Sequence, residues 1–152
     1  MPETVGGLPL HPLVVHAVVV LIPLSALGAI AIALVPRWAR PNGPLVTLGA
    51  VGASIMAYVA KLAGDNLQAS LKTTGALEDA IANHGRLGLF TLYASIPFAL
   101  LALVSLVLVY RNASTTAQRI STALSAIAGI VALVLVVLTG EAGATAVWNA
   151  PT

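Results

Sequence analysis

Long stretches of apolar residues dominate the chain, and short polar segments separate them. Four stretches are long enough to cross the hydrocarbon core of a membrane, which takes roughly 20 mostly apolar residues. They cover about residues 13–35, 45–63, 87–110 and 120–139. Within them the apolar residues run continuously and do not alternate with polar ones, which is typical of helices and not of barrel strands. The pattern predicts an all-α fold, a four-transmembrane-helix bundle that forms one domain over residues 1–152.

The segments between the predicted helices differ in length and character. Residues 36–44 are rich in proline and glycine, which is typical of a turn, and residues 111–119 are polar. The connection over residues 64–85 is longer and mixes apolar with polar positions. It predicts one or two short amphipathic helices that lie on the membrane surface. No internal repeat is evident in the sequence.

Composition agrees with membrane residence and excludes most other classes of protein. Of the 152 residues, 59% are hydrophobic and only 8% are charged. Soluble domains carry about a quarter charged residues, so a soluble enzyme, a nucleic-acid-binding protein and a disordered chain are all excluded. The partner that composition predicts is the lipid bilayer. The chain has no cysteine, which excludes disulfides, thiolate metal sites and a cysteine nucleophile.

The charged residues are distributed unevenly over the two sides of the predicted bundle. The charged residues of the two short loops on one side are all basic: Arg37, Arg40, Arg111 and Arg119. All the acidic residues belong to the other side. Cytoplasmic loops carry an excess of arginine and lysine, so we expect the arginine loops in the cytoplasm. Both termini and residues 64–85 are then expected on the extracytoplasmic side.

Ionisable residues collect at the outer ends of the predicted helices. Such groups are costly within a membrane and are candidates for function by default. The set at this level comprises His11, His16, Lys61, Asp65, His84, Arg86 and Glu141. The outer end of the bundle is therefore where we expect a functional site.

Two histidines of this set are predicted to bind a cofactor. His16 lies about one turn inside the first apolar stretch, where lipid would not tolerate it, so we expect it to point into the bundle. His84 opens the third stretch at a similar depth. Two histidines on separate helices can ligate a haem iron axially within a four-helix bundle. The sequence therefore favours haem b held by His16 and His84 near the outer leaflet for electron transfer.

Other readings of the same residues stay open. His11 and His16 are five positions apart, which is about 140° of rotation on a helix, so they do not chelate one ion from a single helix face. A divalent metal would use a wider set of ligands: His11, His16, His84, Asp65 and Glu141. The same residues could instead form a structural polar network, and Lys61 and Asp65 have the spacing of an ion pair within one helix.

A different class of function needs no cofactor at all. The chain could be an accessory or assembly subunit that packs against a larger membrane complex or against further copies of itself. No arrangement of nucleophile, base and orienting group is visible, so the sequence does not favour an enzyme.

Four short motifs lie at the outer ends of the predicted helices: HPLVVH, AGDNL, NHGRLG and TGEAGATAVW. In this combination the chain resembles a family of small four-span bacterial membrane proteins, often actinobacterial, known only as a domain of unknown function. The resemblance covers essentially the whole chain, and the HPxxVH opening is its most specific part. It implies a four-helix bundle in the bacterial inner membrane and draws attention to His11, His16 and His84. Family members often carry histidine or aspartate where this chain has Glu141.

Overall fold

The computed structural model describes residues 4–5, 8–71 and 73–148. Its main elements are four long helices, each long and apolar enough to cross a membrane. They are α1 (Leu10–Leu34), α2 (Ala39–Ser70), α3 (Ala76–Tyr110) and α4 (Thr115–Trp148). A small antiparallel hairpin of β1 (Thr4–Val5) and β2 (Leu8–Pro9) precedes α1. The predicted all-α class with four membrane-spanning helices is confirmed.

Each helix packs against two neighbours, so the four helices close a ring. The order around the ring is α1, α2, α3 and α4, and α4 packs back against α1. Helices α1 and α3 are therefore opposite each other, as are α2 and α4. We call the end where α1 and α3 begin the histidine end, because it holds His11 and His84. The opposite end, with Arg40, Arg111 and Arg119, is the arginine end.

Small residues let the helices approach closely in the middle of the bundle. Ala26 on α1 is completely buried. A Cβ added at Gly129 of α4 would lie 3.2 Å from the Cα atom of Ala26. Phe98 and Ile22 are the largest fully buried side chains and fill the space between these close contacts. Lipid provides no hydrophobic drive between helices, so this close packing is what holds them together.

The predicted turn at residues 36–44 is mostly helical. A short 3₁₀ helix covers Pro36–Trp38, and α2 already begins at Ala39. Pro44 lies inside α2 and has no N–H for the carbonyl of Arg40, four positions earlier. The hydroxyl of Tyr110 donates to that carbonyl instead, at 3.3 Å. The second helix therefore starts earlier than the apolar pattern indicated.

The predicted surface link over residues 64–85 also becomes helix for most of its length. α2 continues to Ser70 and α3 begins at Ala76. Helices of 32–35 residues are roughly 50 Å long, whereas the hydrocarbon core is about 30 Å thick. Helix ends can therefore continue into the polar region, where hydropathy no longer marks them. Most of residues 64–85 therefore extend α2 and α3 and do not form separate short helices.

Candidate functional site at the histidine end

Two histidine side chains from opposite helices meet at the histidine end. His11 lies in the first turn of α1 and His84 lies in α3. Their ring centres are 6.0 Å apart, and the ring planes are at 90° to each other. Both side chains are half-buried. The bundle therefore brings two imidazoles together across its own axis.

Each of these rings is held by a backbone carbonyl of the following helix. Nδ1 of His11 lies 2.9 Å from the carbonyl oxygen of Ala60, and Nδ1 of His84 lies 3.0 Å from that of Thr139. A carbonyl oxygen only accepts, so Nδ1 is the donor in both bonds. In a neutral imidazole Nε2 is then left with its lone pair. Among the described residues, neither Nε2 atom has a hydrogen-bond partner.

This arrangement is the usual one for metal-binding histidines. There, one ring nitrogen donates to a carbonyl or carboxylate, which fixes the tautomer and the ring orientation, while the other nitrogen binds the metal. The carbonyls of Ala60 and Thr139 serve as the acceptors here. Each Nε2 atom therefore keeps the lone pair that a metal ligand needs.

Two glycines leave room for the imidazole rings. A Cβ added at Gly64 of α2 would lie 3.0 Å from Cε1 of His11. At Gly143 of α4, a Cβ would lie 3.0 Å from Nδ1 and Cε1 of His84. Both distances are shorter than ordinary van der Waals contact. Any larger residue at either position would push on the ring that it faces.

Thr139 fixes one side of the site through its hydroxyl as well as its carbonyl. The hydroxyl donates to the carbonyl of Leu135, one turn earlier in α4, at 2.7 Å. It therefore accepts the hydroxyl proton of Thr91 from α3, at 2.8 Å. These bonds join α3 to α4 beside His84, so the acceptor of the His84 ring is itself held in place.

His16 does not take part in this pair, and the expectation that it points into the bundle was wrong. Its side chain is exposed, and its Nδ1 lies 2.5 Å from the carbonyl of Pro12 on the same helix. The reason is angular. Val18 is the first buried residue of α1, and two positions correspond to about 200° of rotation. His16 therefore faces away from the bundle, and it also lies about 7.5 Å deeper along α1 than His11.

The two carboxylates proposed as metal ligands lie apart from the histidine pair. Asp65 is exposed and forms the predicted ion pair with Lys61, four positions earlier. Glu141 is exposed. In the parts of the chain that the structure describes, no three histidine, aspartate or glutamate side chains come together as metal ligands would. Of the five candidates, only His11 and His84 are brought together.

Reasoning from the sequence missed the groups that hold the two rings. Backbone carbonyls such as that of Ala60 carry no side-chain signal. Gly64 lies within the motif AGDNL, and Thr139 and Gly143 lie within the motif TGEAGATAVW. Small residues beside a histidine on the neighbouring helix are the signal that could have been used.

A small cavity near the arginine end is separate from this site. Its volume is about 20 Å³, and its lining includes the hydroxyls of Thr47, Ser105 and Ser125. That space suffices for about one water molecule, which needs roughly 10–15 Å³. It is too small for a cofactor and contains no ionisable side chain.

The comparisons with known proteins give a family and nothing more. Residues 7–151 match the family described as "Predicted membrane protein (DUF2231)". The match covers almost the whole chain, so the chain belongs to this family and is a multi-pass membrane protein. No curated protein and no solved structure matches it.

Proposed function

We propose that this member of the DUF2231 family binds haem b at its histidine end, with His11 and His84 as the axial ligands, and that it transfers electrons. The observation that carries the proposal is the pair of perpendicular rings 6.0 Å apart, each held through Nδ1 by a carbonyl. The sequence had favoured His16 as the partner of His84. The exposure of His16 on the outer face of α1 makes His11 the better ligand.

The separation of the two rings fits a single metal ion between them. Bonds between a metal and an imidazole nitrogen are about 2 Å long, so two rings on opposite sides of one ion have their centres about 6 Å apart. The distance between His11 and His84 has this size. Perpendicular ring planes are compatible with it, because each ring lies along its own metal–nitrogen bond.

The shortage of further ligands favours haem over a bare metal ion. A structural zinc site needs four protein ligands, and a catalytic one about three. Here two histidines meet, and no third such ligand joins them among the described residues. Haem iron needs only axial ligands from the protein, because the porphyrin nitrogens supply the remaining bonds.

Two protein ligands at the iron favour electron transfer over catalysis. With His11 and His84 in both axial positions, no position at the iron is left for oxygen or a substrate. Ligand identity, hydrogen bonds to the ligands and burial then set the reduction potential. The carbonyls of Ala60 and Thr139 would make the two imidazoles more basic and so lower the potential, but less than a carboxylate would, because they carry no full charge.

We further propose that the histidine end faces the extracytoplasmic side of a bacterial inner membrane. The charges support this orientation. Arg37, Arg40, Arg111 and Arg119 all lie at the arginine end and are exposed. Every acidic residue in the described helices belongs to the histidine end, namely Asp65, Glu78, Asp79 and Glu141. An excess of arginine marks the cytoplasmic side, so the haem would exchange electrons with a partner outside the cytoplasm.

Absorption spectroscopy tests the proposal on the full-length protein purified in mild detergent. We expect a Soret band and a reduced-minus-oxidised spectrum typical of a b-type cytochrome. The variants His11→Ala and His84→Ala should each lose the low-spin spectrum. His16→Ala is the matched control on the same helix and should keep it, because its ring bonds only to Pro12.

Two results would contradict the proposal. One is a protein that stays colourless after expression with ample haem and after incubation with hemin. The other is a spectrum that His16→Ala removes and His11→Ala leaves intact. Gel filtration should show that all three variants elute as the wild type does, so that a lost spectrum reports a lost ligand and not an unfolded bundle.

A further inference from the structure

The four helices form two consecutive hairpins that occupy equivalent places in the bundle. α1 and α2 form the first hairpin, and α3 and α4 form the second. Between the hairpins, α2 packs against α3 and α4 packs against α1. A half-turn about the bundle axis therefore exchanges the two hairpins, taking α1 to α3 and α2 to α4 with their directions kept.

The same half-turn relates the site residues of the first hairpin to those of the second. The two histidines are 73 positions apart in the sequence, and their carbonyl acceptors are 79 positions apart. The two glycines that face the rings are also 79 positions apart. The matched pairs are His11 and His84, Ala60 and Thr139, and Gly64 and Gly143.

The buried positions of α1 and α3 are related by the same 73-position offset that separates His11 from His84. Each of the six buried residues of α1, moved 73 positions along the chain, reaches a buried residue of α3. The pairs are Val18 and Thr91, Ile22 and Ser95, Ser25 and Phe98, Ala26 and Ala99, Ala29 and Ala102, and Ile32 and Ser105. Because both helices have the same periodicity, several offsets would align their buried faces. The offset of 73 was taken from the two histidines and not from burial, so the agreement of the buried positions is an independent observation.

The buried positions of α2 and α4 are related by the same 79-position offset that separates the carbonyl acceptors Ala60 and Thr139. Of the seven buried residues of α4, six have a buried counterpart 79 positions earlier in α2. The pairs are Gly43 and Thr122, Val46 and Ser125, Thr47 and Ala126, Ala50 and Gly129, Ala53 and Ala132, and Ala57 and Val136. Only Ser121 lacks one. The agreement on both helix pairs makes an accidental match of the two histidines a poor explanation.

We infer that the chain is a tandem duplication of one helical hairpin, and that its two copies share one metal centre on the axis between them, each supplying one imidazole. The identity of the centre rests on the function proposed above, but the sharing does not. A ligand on such an axis must accept two equivalent donors from opposite sides. A single metal ion or a haem iron does so, whereas an asymmetric organic substrate does not.

The other candidate ligands have no polar counterpart in the second copy. Under the same offsets, each of the three pairs with an apolar residue. The pairs are His16 with Leu89, Asp65 with Ala144, and Glu141 with Leu62. These residues therefore lie outside the shared site, which agrees with their exposed positions.

Copper binding tests the shared site without relying on haem. The full-length protein is purified free of haem in mild detergent and titrated with Cu²⁺, which imidazole ligands bind well. We expect one tight ion per chain, whose electron paramagnetic resonance spectrum shows two equivalent imidazole nitrogens. His11→Ala and His84→Ala should each weaken Cu²⁺ binding to a similar extent, at least about tenfold. His16→Ala should not change it.

Unequal effects of the two substitutions would overturn the inference, as would two ions per chain or binding through one imidazole. These outcomes are distinguishable from failure of the proposed function. A protein that never takes up haem but binds one Cu²⁺ through both histidines contradicts the haem proposal and supports the shared site. A protein that binds haem but loses it only on His84→Ala supports haem binding and contradicts the shared site.

Discussion

The fit of each imidazole against a glycine is the most sensitive residue-scale feature of the site. Gly64 and Gly143 belong to helix interiors, where glycine costs about 1 kcal/mol relative to alanine. Space for the rings of His11 and His84 is the physical reason for accepting that cost, since a Cβ at either position would lie 3.0 Å from ring atoms. The two glycines therefore act as positioning residues for the ligands.

Gly143→Ala should displace the His84 ring and lower the affinity for haem by about 10–100-fold, the usual effect of disturbing the support of a metal ligand. Gly140→Ala is the matched control. It lies one turn earlier in the same helix, and a Cβ there meets no atom within 4 Å. Haem titration of the two variants checks the prediction. Equal affinities would show that the space at Gly143 plays no part in holding the ring.

At this scale the sequence predicted which residue types matter but not how they pair. The shortage of ionisable groups in the membrane singled out the three histidines, and depth along the chain put His16 level with His84. The position of a side chain on a helix depends on its depth along the axis and also on its rotation about the axis. The rotation that points His11 inward and His16 outward depends on which face of α1 is buried, and a uniformly apolar helix does not reveal that face.

At the scale of helices, hydropathy located all four spans but misplaced several of their ends. The apolar stretches mark the hydrocarbon core, whereas a helix ends where its backbone hydrogen bonds end. Pro44 looked like a turn residue, yet Tyr110 donates to the carbonyl that it leaves unpaired. Residues 64–70 and 76–85 mix polar with apolar positions, yet they continue α2 and α3. Polar residues of a helix that lie outside the hydrocarbon core do not have to be buried in lipid, so the hydropathy pattern could not predict these extensions.

The inferred duplication is not visible in the sequence because the two hairpins differ in residue type at most matched positions. The six buried positions of α1 and their counterparts in α3 are identical at only two places, Ala26 with Ala99 and Ala29 with Ala102. At the other four places an apolar residue corresponds to a residue with a hydroxyl group, as for Ile22 with Ser95. Close helix packing constrains which positions are buried, but not which residues occupy them. Only the structure exposes that register.

At the scale of the whole molecule, the distribution of charge predicts which end of the bundle faces the cytoplasm. Ser70 ends α2 at the histidine end, and Ser114 precedes α4 at the arginine end. Both are exposed, and the chain contains no cysteine. Single cysteines at these positions therefore report on each side separately.

In intact cells, an impermeant maleimide should label Ser70→Cys and should label Ser114→Cys only after the membrane is opened. The positive-inside rule gives the reason, because the arginine end stays in the cytoplasm. The reverse pattern of labelling would place the histidine end in the cytoplasm and move the proposed electron partner there with it.

The central claim is that His11 and His84 bind the same iron, and electron paramagnetic resonance of the ferric protein tests it most directly. Two imidazoles at 90° to each other should give the highly anisotropic low-spin signal of perpendicular axial ligands. His11→Ala and His84→Ala should each convert it to a high-spin signal, and His16→Ala should leave it unchanged. A low-spin signal that survives in both of the first two variants would contradict the account.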